Sequence, residues 1–384
     1  MGSVLEKYFK GDKVIWGIIV FLSLVSILAV YSSTGTLAFR YQEGNTLFYL
    51  FRHTLILLIG FAIIFFVHLI PFRYFSRFSQ LLLFLSIPLL AWTLFKGTSL
   101  NEASRWITLP GTGGLSFQTS DLAKLALVMF IARFLAQNQE NVDDFKKGFR
   151  SIMIWIIIVC GLILPANFST AALIFLTSMI LLFAGRIKFR YLMYVALAGV
   201  LAGGIFIIVA LNLPEDSRGR VGTWQKRIDT FVNGNAEDDY QVIQSKIAIA
   251  SGGFFGKGPG NSVQRNFLPH PYSDFIFSII IEEYGMIGGL VILFAYLVLL
   301  YRAGLIVRKA QSGFGIFVTI GLALSLVIQA FVNIGVAVNL LPVTGQTLPL
   351  VSMGGTSIFF TGVALGVILS VSQSITNTEE NEKS

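Results

Sequence analysis

The 384-residue chain alternates long apolar runs with short polar breaks, and one polar stretch is far longer than the rest. Ten apolar segments approach or exceed the length of a membrane span: 14–33, 48–70, 78–95, 120–136, 152–164, 169–184, 191–211, 273–301, 314–341 and 350–372. About 20 residues of helix cross the roughly 30 Å hydrocarbon core of a bilayer. The fifth and sixth segments are separated only by Pro165, Ala166, Asn167 and Phe168, which predicts a hairpin with a proline turn. The long polar island covers 212–272. Within it, 239–250 reads as an amphipathic helix and 252–260 as a glycine-rich turn. The tail 376–384 is polar and short and is expected to be disordered.

This pattern predicts an all-α polytopic membrane protein of about ten transmembrane helices. Residues 1–375 form one domain, with the island as a single large extracytoplasmic loop between the seventh and eighth helices. Orientation follows from Lys and Arg in the short loops. With the N-terminus in the cytoplasm, the inner side receives Lys7, Lys10 and Lys13, then Arg73 and Arg77, then Lys146, Lys147 and Arg150. Arg186, Lys188, Arg190, Arg302, Arg308 and Lys309 fall on the same side. The outer short loops hold Arg40, Arg52, Lys96 and Arg105, so both termini are expected inside. Lys7 to Lys13 followed by an apolar run resembles a signal peptide. The run is too long and no small-residue cleavage site follows, so an uncleaved first helix is expected.

Composition agrees. The chain is 55% hydrophobic and only 12% charged, where a soluble domain carries about a quarter charged residues. The net charge of +8 does not imply nucleic acid, because in a membrane protein Lys and Arg set orientation and hold the anionic leaflet. One cysteine, Cys160, rules out an intrachain disulfide, and with three histidines it argues against a zinc site of the usual ligands.

Three constellations carry candidate chemistry. The first is Asp274, at the junction of the island and the eighth apolar segment, with Glu282 and Glu283 beyond it. Ionisable groups at membrane depth are costly and are functional candidates by default. In a continuous helix Asp274, Ser278, Glu282, Gly285 and Gly289 would share one face, with Ser273 as the N-cap. The bland alternatives are a helix-capping carboxylate at Asp274 and structural pairing of Glu282 and Glu283 with Lys or Arg. The second joins Arg105 and Trp106 to Gln118, Ser120, Asp121 and Lys124. A cation beside an amphipathic ring suits a phosphate or sugar ligand. Lys124 either lines a polar cavity for pyrophosphate or is neutralised by Asp121 three residues earlier. The third is Asn333, Asn339 and the run from Pro342 through Ser352, Met353, Gly354 and Gly355 to Ser357. Its small residues permit either close helix packing or broken backbone lining a cavity. No Walker loop, dinucleotide fingerprint or Gly-x-Ser-x-Gly is present.

The 342–357 run resembles the signature of the SEDS family (shape, elongation, division and sporulation; the FtsW/RodA/SpoVE group). Ala-Ser-Arg-Trp-Ile with Phe-Gln-x-Ser-Asp-Leu-Ala-Lys is similar to that family's third-to-fourth helix loop. Residues 240–260 and 268–277 are similar to its large outer loop. The likeness spans nearly the whole chain, and ten helices with both termini inside also match. Within the family an FtsW-like assignment is favoured over a RodA-like one.

The resemblance implies a peptidoglycan glycosyltransferase of the bacterial cytoplasmic membrane. Its substrate would be lipid II, an undecaprenyl-pyrophosphate-linked disaccharide pentapeptide. Its partners would be a class B penicillin-binding transpeptidase and other divisome or elongasome membrane proteins. The family's essential aspartate falls on Asp274, as general base or as ligand to a divalent cation, Mg or Mn. Arg105, Lys124, Arg227 and Lys246 would then neutralise the departing pyrophosphate, and Trp106, Gln118, Ser120, Gln264, Ser352, Gly354 and Gly355 would line the substrate site. Glu282 and Glu283 would support it. Many members carry Leu-Pro-Glu-x-His-x-Asp, where this chain has His270 and Tyr272, so that glutamate's role does not carry over. Two other readings compete. A lipid II flippase would need a charged path to the cytoplasmic side, often with inverted repeats. An inert scaffold would not explain Glu282, Glu283 and Lys124 within apolar helices.

Overall fold

The computed structural model describes residues 9–41, 43–96, 98–100, 103–108, 116–142, 144–211 and 240–381. The helices are α1 (Lys13–Ser33), α2 (Gly35–Tyr41), α3 (Thr46–Leu69) and α4 (Arg73–Lys96), then strands β1 (Thr98–Leu100), β2 (Ala103–Thr108) and β3 (Ser116–Gln118). There follow α5 (Thr119–Gln137), α6 (Ser151–Ile163), α7 (Phe168–Ala184), α8 (Phe189–Leu211), α9 (Tyr240–Gly252), α10 (Ile276–Lys309), α11 (Gly313–Ala337) and α12 (Thr356–Asn381). Each of the ten apolar segments is a helix. Among the described residues, six helices are long and apolar enough to cross a membrane: α1, α3, α4, α10, α11 and α12. The chain is a polytopic helical membrane protein. α5 carries Asp121, Lys124 and Arg133, which lower its hydropathy, and α6 gains a turn from the π-helical Phe145–Arg150 that leads into it.

α11 is the hub, packed against α5, α7, α10 and α12. Lipid tails are as apolar as leucine, so close approach of backbones matters more here than hydrophobic burial. α3 and α12 show this: a Cβ on Gly362 would lie 3.0 Å from Gly60 O, and one on Gly366 would lie 3.1 Å from Ile64 O. One charged pair is tied off at the start of α1. Asp12 caps α1 by accepting from the N–H of Val14 and Ile15 at 2.9 and 3.1 Å, and Arg302 Nε donates to its other oxygen at 2.8 Å. The expected hairpin of α6 and α7 forms, with Asn167 Oδ1 accepting from Thr170 N–H at 3.2 Å as the N-cap of α7.

Three expectations are corrected. α10 starts at Ile276, so Asp274 lies in the turn before the helix, and the N-cap position is Phe275, not Ser273. α10 is also broken at Gly285 (φ 70°, ψ −174°), so the stripe from Asp274 to Gly289 is not one continuous face. Between α4 and α5 the strands β1, β2 and β3 pair as an antiparallel sheet of order β1-β2-β3. α12 begins only at Thr356 and runs on to Asn381, through most of the tail expected to be disordered.

The break in α10 has a visible cause. Lys257 N–H donates to Glu282 O and Gly258 N–H to Glu283 O, both at 2.9 Å, while Met286 N–H donates to Gly253 O at 2.9 Å. The glycine-rich turn thus replaces the helix's own bonds where it opens, as non-helical backbone at membrane depth requires. Only glycine permits the approach. A Cβ on Gly256 would sit 2.2 Å from Glu283 O, and one on Gly285 2.1 Å from Phe254 O.

Candidate active site

The Asp274 turn is anchored by the segment between α11 and α12, which is irregular from Val338 to Gly355. The apolar pattern predicts a spanning helix from 350; the observed backbone is instead broken there, with 348–352 buried in the bundle. Helix side chains satisfy it one group at a time. Asn333 Nδ2 donates to Asp274 O at 2.8 Å and to Gln346 O at 2.7 Å. Gln329, one turn earlier on α11, donates from Nε2 to Thr347 O at 2.9 Å. Tyr296 OH donates to Pro349 O at 2.5 Å, and Ser26 Oγ to Val351 O at 2.7 Å. Gln346 Nε2 donates to Thr170 Oγ1 at 2.9 Å. Between these ties Leu350 is held at φ 64°, a strained value for a bulky residue. Such strain persists only where surrounding contacts over-determine it.

Asp274 is half-buried, so its carboxyl sits at a boundary that a ligand can reach. Ser273 Oγ donates to Oδ1 at 2.9 Å. A Cβ on Gly345 (φ 66°) would lie 3.7 Å from Oδ2, so the irregular segment passes directly beside the carboxylate. Ser352 is almost fully buried. Its hydroxyl donates to Ser273 O at 2.6 Å and accepts from Leu348 N–H at 2.8 Å, which makes it a brace for the Asp274 turn. Met353 N–H adds a bond to Tyr272 O at 2.9 Å. Gly354 and Gly355 follow in the irregular stretch, where a Cβ on Gly354 would meet Ser357 Oγ at 2.2 Å.

Lys124 joins this network. Its Nζ donates to Gln329 Oε1 at 2.6 Å and lies 3.8 Å from Asp121 Oδ1. The main partner is therefore across the bundle, with the self-paired contact secondary. Gln329 and Asn333 are neighbours on one helix face, about 5–6 Å apart at Cβ. One helix thus links Lys124 to the segment that flanks Asp274. Asp121 Oδ2, Asn333 Oδ1 and Thr344 Oγ1 are buried and have no hydrogen-bond partner among the described residues. Unspent polar capacity of this kind calls for water or a ligand. Gln118 Nε2 donates to Ser120 Oγ at 2.9 Å, and Ser120 lines a small cavity of about 20 Å³ with Thr93, Thr119 and Asn167.

Glu282 and Glu283 are buried elsewhere. Glu282 accepts from Lys257 Nζ at 2.6 Å, Ser262 Oγ at 2.5 Å, and the N–H groups of Val263 and Gln264 at 3.1 and 3.2 Å. Glu283 accepts from the Ser32 hydroxyl and from Ser262 N–H. Both lock the 253–264 segment into the break in α10; Glu282 does so through a lysine, the structural pairing that the sequence left open, whereas Glu283 is held by a hydroxyl and a backbone N–H. Gln264 belongs to that clamp, and its Oε1 is buried without a partner among the described residues. Lys246 is exposed on α9. Arg105 and Trp106 lie in β2, with Trp106 in register with Gln118 of β3, beside the entry to α5. Arg227 lies outside the described residues. Gln329, Tyr296, Ser26 and Thr170 escaped the sequence reading. The visible signal was Gln329 and Asn333 at i, i+4 in an otherwise apolar helix.

Residues 12–377 match the family model FTSW/RODA/SPOVE, described as cell cycle protein. The chain is 34% identical over 363 residues to stage V sporulation protein E of Bacillus subtilis (strain 168), covering 92% of this chain and 94% of that one. It is 33% identical to the probable peptidoglycan glycosyltransferase FtsW of Trichlorobacter lovleyi, covering 97% of this chain and 96% of that one. Its fold superimposes, with a TM-score of 0.72 and 25% identity, on a chain of the structure reported as "Structural coordination of polymerization and crosslinking by a peptidoglycan synthase complex". That match covers 95% of this chain and 98% of the other.

Proposed function

The chain belongs to the FtsW/RodA/SpoVE family, and on that premise we propose that it is a peptidoglycan glycosyltransferase that polymerises lipid II into glycan strands. It sits in the bacterial cytoplasmic membrane with both termini inside and the Asp274 site at the outer face, where it serves septal wall synthesis. A class B penicillin-binding transpeptidase and other divisome membrane proteins are its partners. The observation that carries the reading is Asp274: a half-buried carboxylate outside the helix, accepting from Ser273 Oγ, with its backbone carbonyl tied to Asn333 beside the broken backbone at Gly345.

Glycosyl transfer needs a base for the proton of the acceptor hydroxyl and positive charge for the departing pyrophosphate. Asp274 takes the proton; Asn333 sets its backbone and Ser273 Oγ orients its carboxylate. Lys124, oriented by Gln329, places an ammonium at the same face of α11 to receive developing phosphate charge. Arg105, Arg227 and Lys246 add positive charge from the outer connections. Glu282 and Glu283 act at a distance, by fixing the loop that leads into the Asp274 turn.

Among the described residues no group of three or more His, Cys, Asp or Glu could hold a metal ion. A Mg or Mn ion would be held by Asp274 and the substrate's own pyrophosphate, the usual habit of Mg with phosphate substrates. When bound, it would supply further charge neutralisation at the leaving group.

The test is polymerisation of labelled lipid II by the purified chain, alone and with a transpeptidase partner. Glycan strands are expected. Scrambling of lipid II between liposome leaflets without any strands would overturn the glycosyltransferase reading in favour of a flippase.

A further inference from the structure

A second polar cleft lies well away from this site, where the start of α4 meets the end of α5. Its volume is about 560 Å³, and Arg73, Tyr74, Ser76, Arg77, Arg133 and Gln137 line it. That volume falls within the range of small-molecule clefts, roughly 300–1,000 Å³. Arg133 lies nine residues beyond Lys124 on α5, which is about 14 Å along the helix axis. The cleft is therefore separate from the Asp274 site and independent of what that site does.

Its charge is one-sided. Three guanidinium groups converge from two helices, and among the described residues no carboxylate lines the cleft. Arg73 and Arg77 have no hydrogen-bond or ion-pair partner among the described residues. Arg133 is pre-positioned: its Nη1 donates to Ser76 O at 2.8 Å and its Nε to Gln137 Oε1 at 3.4 Å. Those two bonds leave three of its five N–H donors unspent. Arg73 and Arg77, at i, i+4, stand on one face at the first turns of α4, where the helix dipole also favours negative charge. Guanidinium forks match phosphate oxygens in pairs.

The setting identifies the source of the phosphate. Tyr74, Phe78, Leu81 and Leu85 are all exposed and continue away from the cleft along α4. In a spanning helix an exposed apolar row of this kind faces lipid, and Tyr74 stands at its polar end, as interfacial aromatics do. The cleft lies where acyl chains end and headgroups begin.

We propose that Arg73, Arg77 and Arg133 form a binding site for the phosphate of an anionic phospholipid, whose acyl chains lie along Tyr74, Phe78 and Leu81. The site is distinct from general surface basicity because its three arginines meet in one cleft.

The test uses the full chain, delipidated in detergent and titrated with phosphatidylglycerol or phosphatidylcholine, with bound lipid counted by native mass spectrometry. The wild type should retain phosphatidylglycerol and not phosphatidylcholine. Arg73→Gln/Arg77→Gln should weaken phosphatidylglycerol binding about tenfold. Lys188→Gln/Arg190→Gln, which removes the same charge from exposed positions outside the cleft, should bind like wild type. Should the double variant not be recovered folded, Arg77→Gln alone, at an exposed position, should show a partial loss of about threefold. Equal binding by the cleft variants, or an equal loss in the Lys188/Arg190 control, would overturn the site. Displacement of the lipid by millimolar inorganic phosphate would overturn the lipid assignment in favour of a free anion.

Discussion

Asn333 spends both hydrogens of its side-chain amide on two backbone carbonyls, that of Asp274 at 2.8 Å and that of Gln346 at 2.7 Å. One residue of the central helix therefore sets the spacing between the candidate base and the irregular segment beside it. The carboxylate's position is a property of α11 as much as of its own turn.

Asn333→Ala should lower the polymerisation rate about tenfold or more while leaving a folded protein. Two half-buried carbonyls lose their donor, at a cost of about 1 kcal/mol each, the low end for a lost hydrogen bond because water can reach them. Rate and thermal unfolding measured together check this. A normal rate with a lower Tm would show that the Asn333 ties stabilise the fold without positioning Asp274.

Lys124→Ala should raise the KM for lipid II about tenfold and also lower Tm, because it leaves the buried Asp121 without its cation. Adding Asp121→Asn should recover much of the stability and none of the affinity. Recovery of both would mean that Lys124 serves only to neutralise Asp121.

Gly285→Ala should fail to accumulate as folded protein, since its Cβ would overlap Phe254 O at 2.1 Å and its φ of 70° is unfavourable for alanine. Gly304→Ala, on the same helix with nothing within 4 Å, should be neutral. Detergent-extracted yield and size-exclusion profiles distinguish the two outcomes.

Glu282→Gln should reduce stability by about 2 kcal/mol, discounted because Lys257 is a third exposed. It should retain polymerisation at a permissive temperature. Loss of activity at unchanged Tm would instead bring Glu282 into the chemistry.

Much of this architecture was legible because apolar length is a direct physical demand of the bilayer. All ten helices could be read from it, as could the Pro165–Asn167 hairpin and the helix at 239–250. What escaped depends on partners distant in the chain. The opening of α10 at Gly285 exists because the 253–258 turn docks into it, and no local signal separates that glycine from Gly304. The 350–355 stretch is apolar enough to read as membrane helix, yet Tyr296, Ser26 and Gln329 hold its neighbourhood in another conformation. The sheet of β1, β2 and β3 was hidden because its strands of 3, 6 and 3 residues are too short for an alternating pattern to stand out from loop. At the site, Asp274 and Lys124 were visible as ionisable groups in apolar surroundings. Ser352 was visible only as a motif residue, and the structure gives it a bracing role.

The most direct measurement compares wild type and Asp274→Asn in lipid II polymerisation, with thermal unfolding recorded on the same preparations. The side chains are nearly isosteric, and the amide can still accept from Ser273 Oγ, so Tm should stay unchanged. The account predicts glycan strands from the wild type and none from the variant. Strands from Asp274→Asn at a wild-type rate would contradict it.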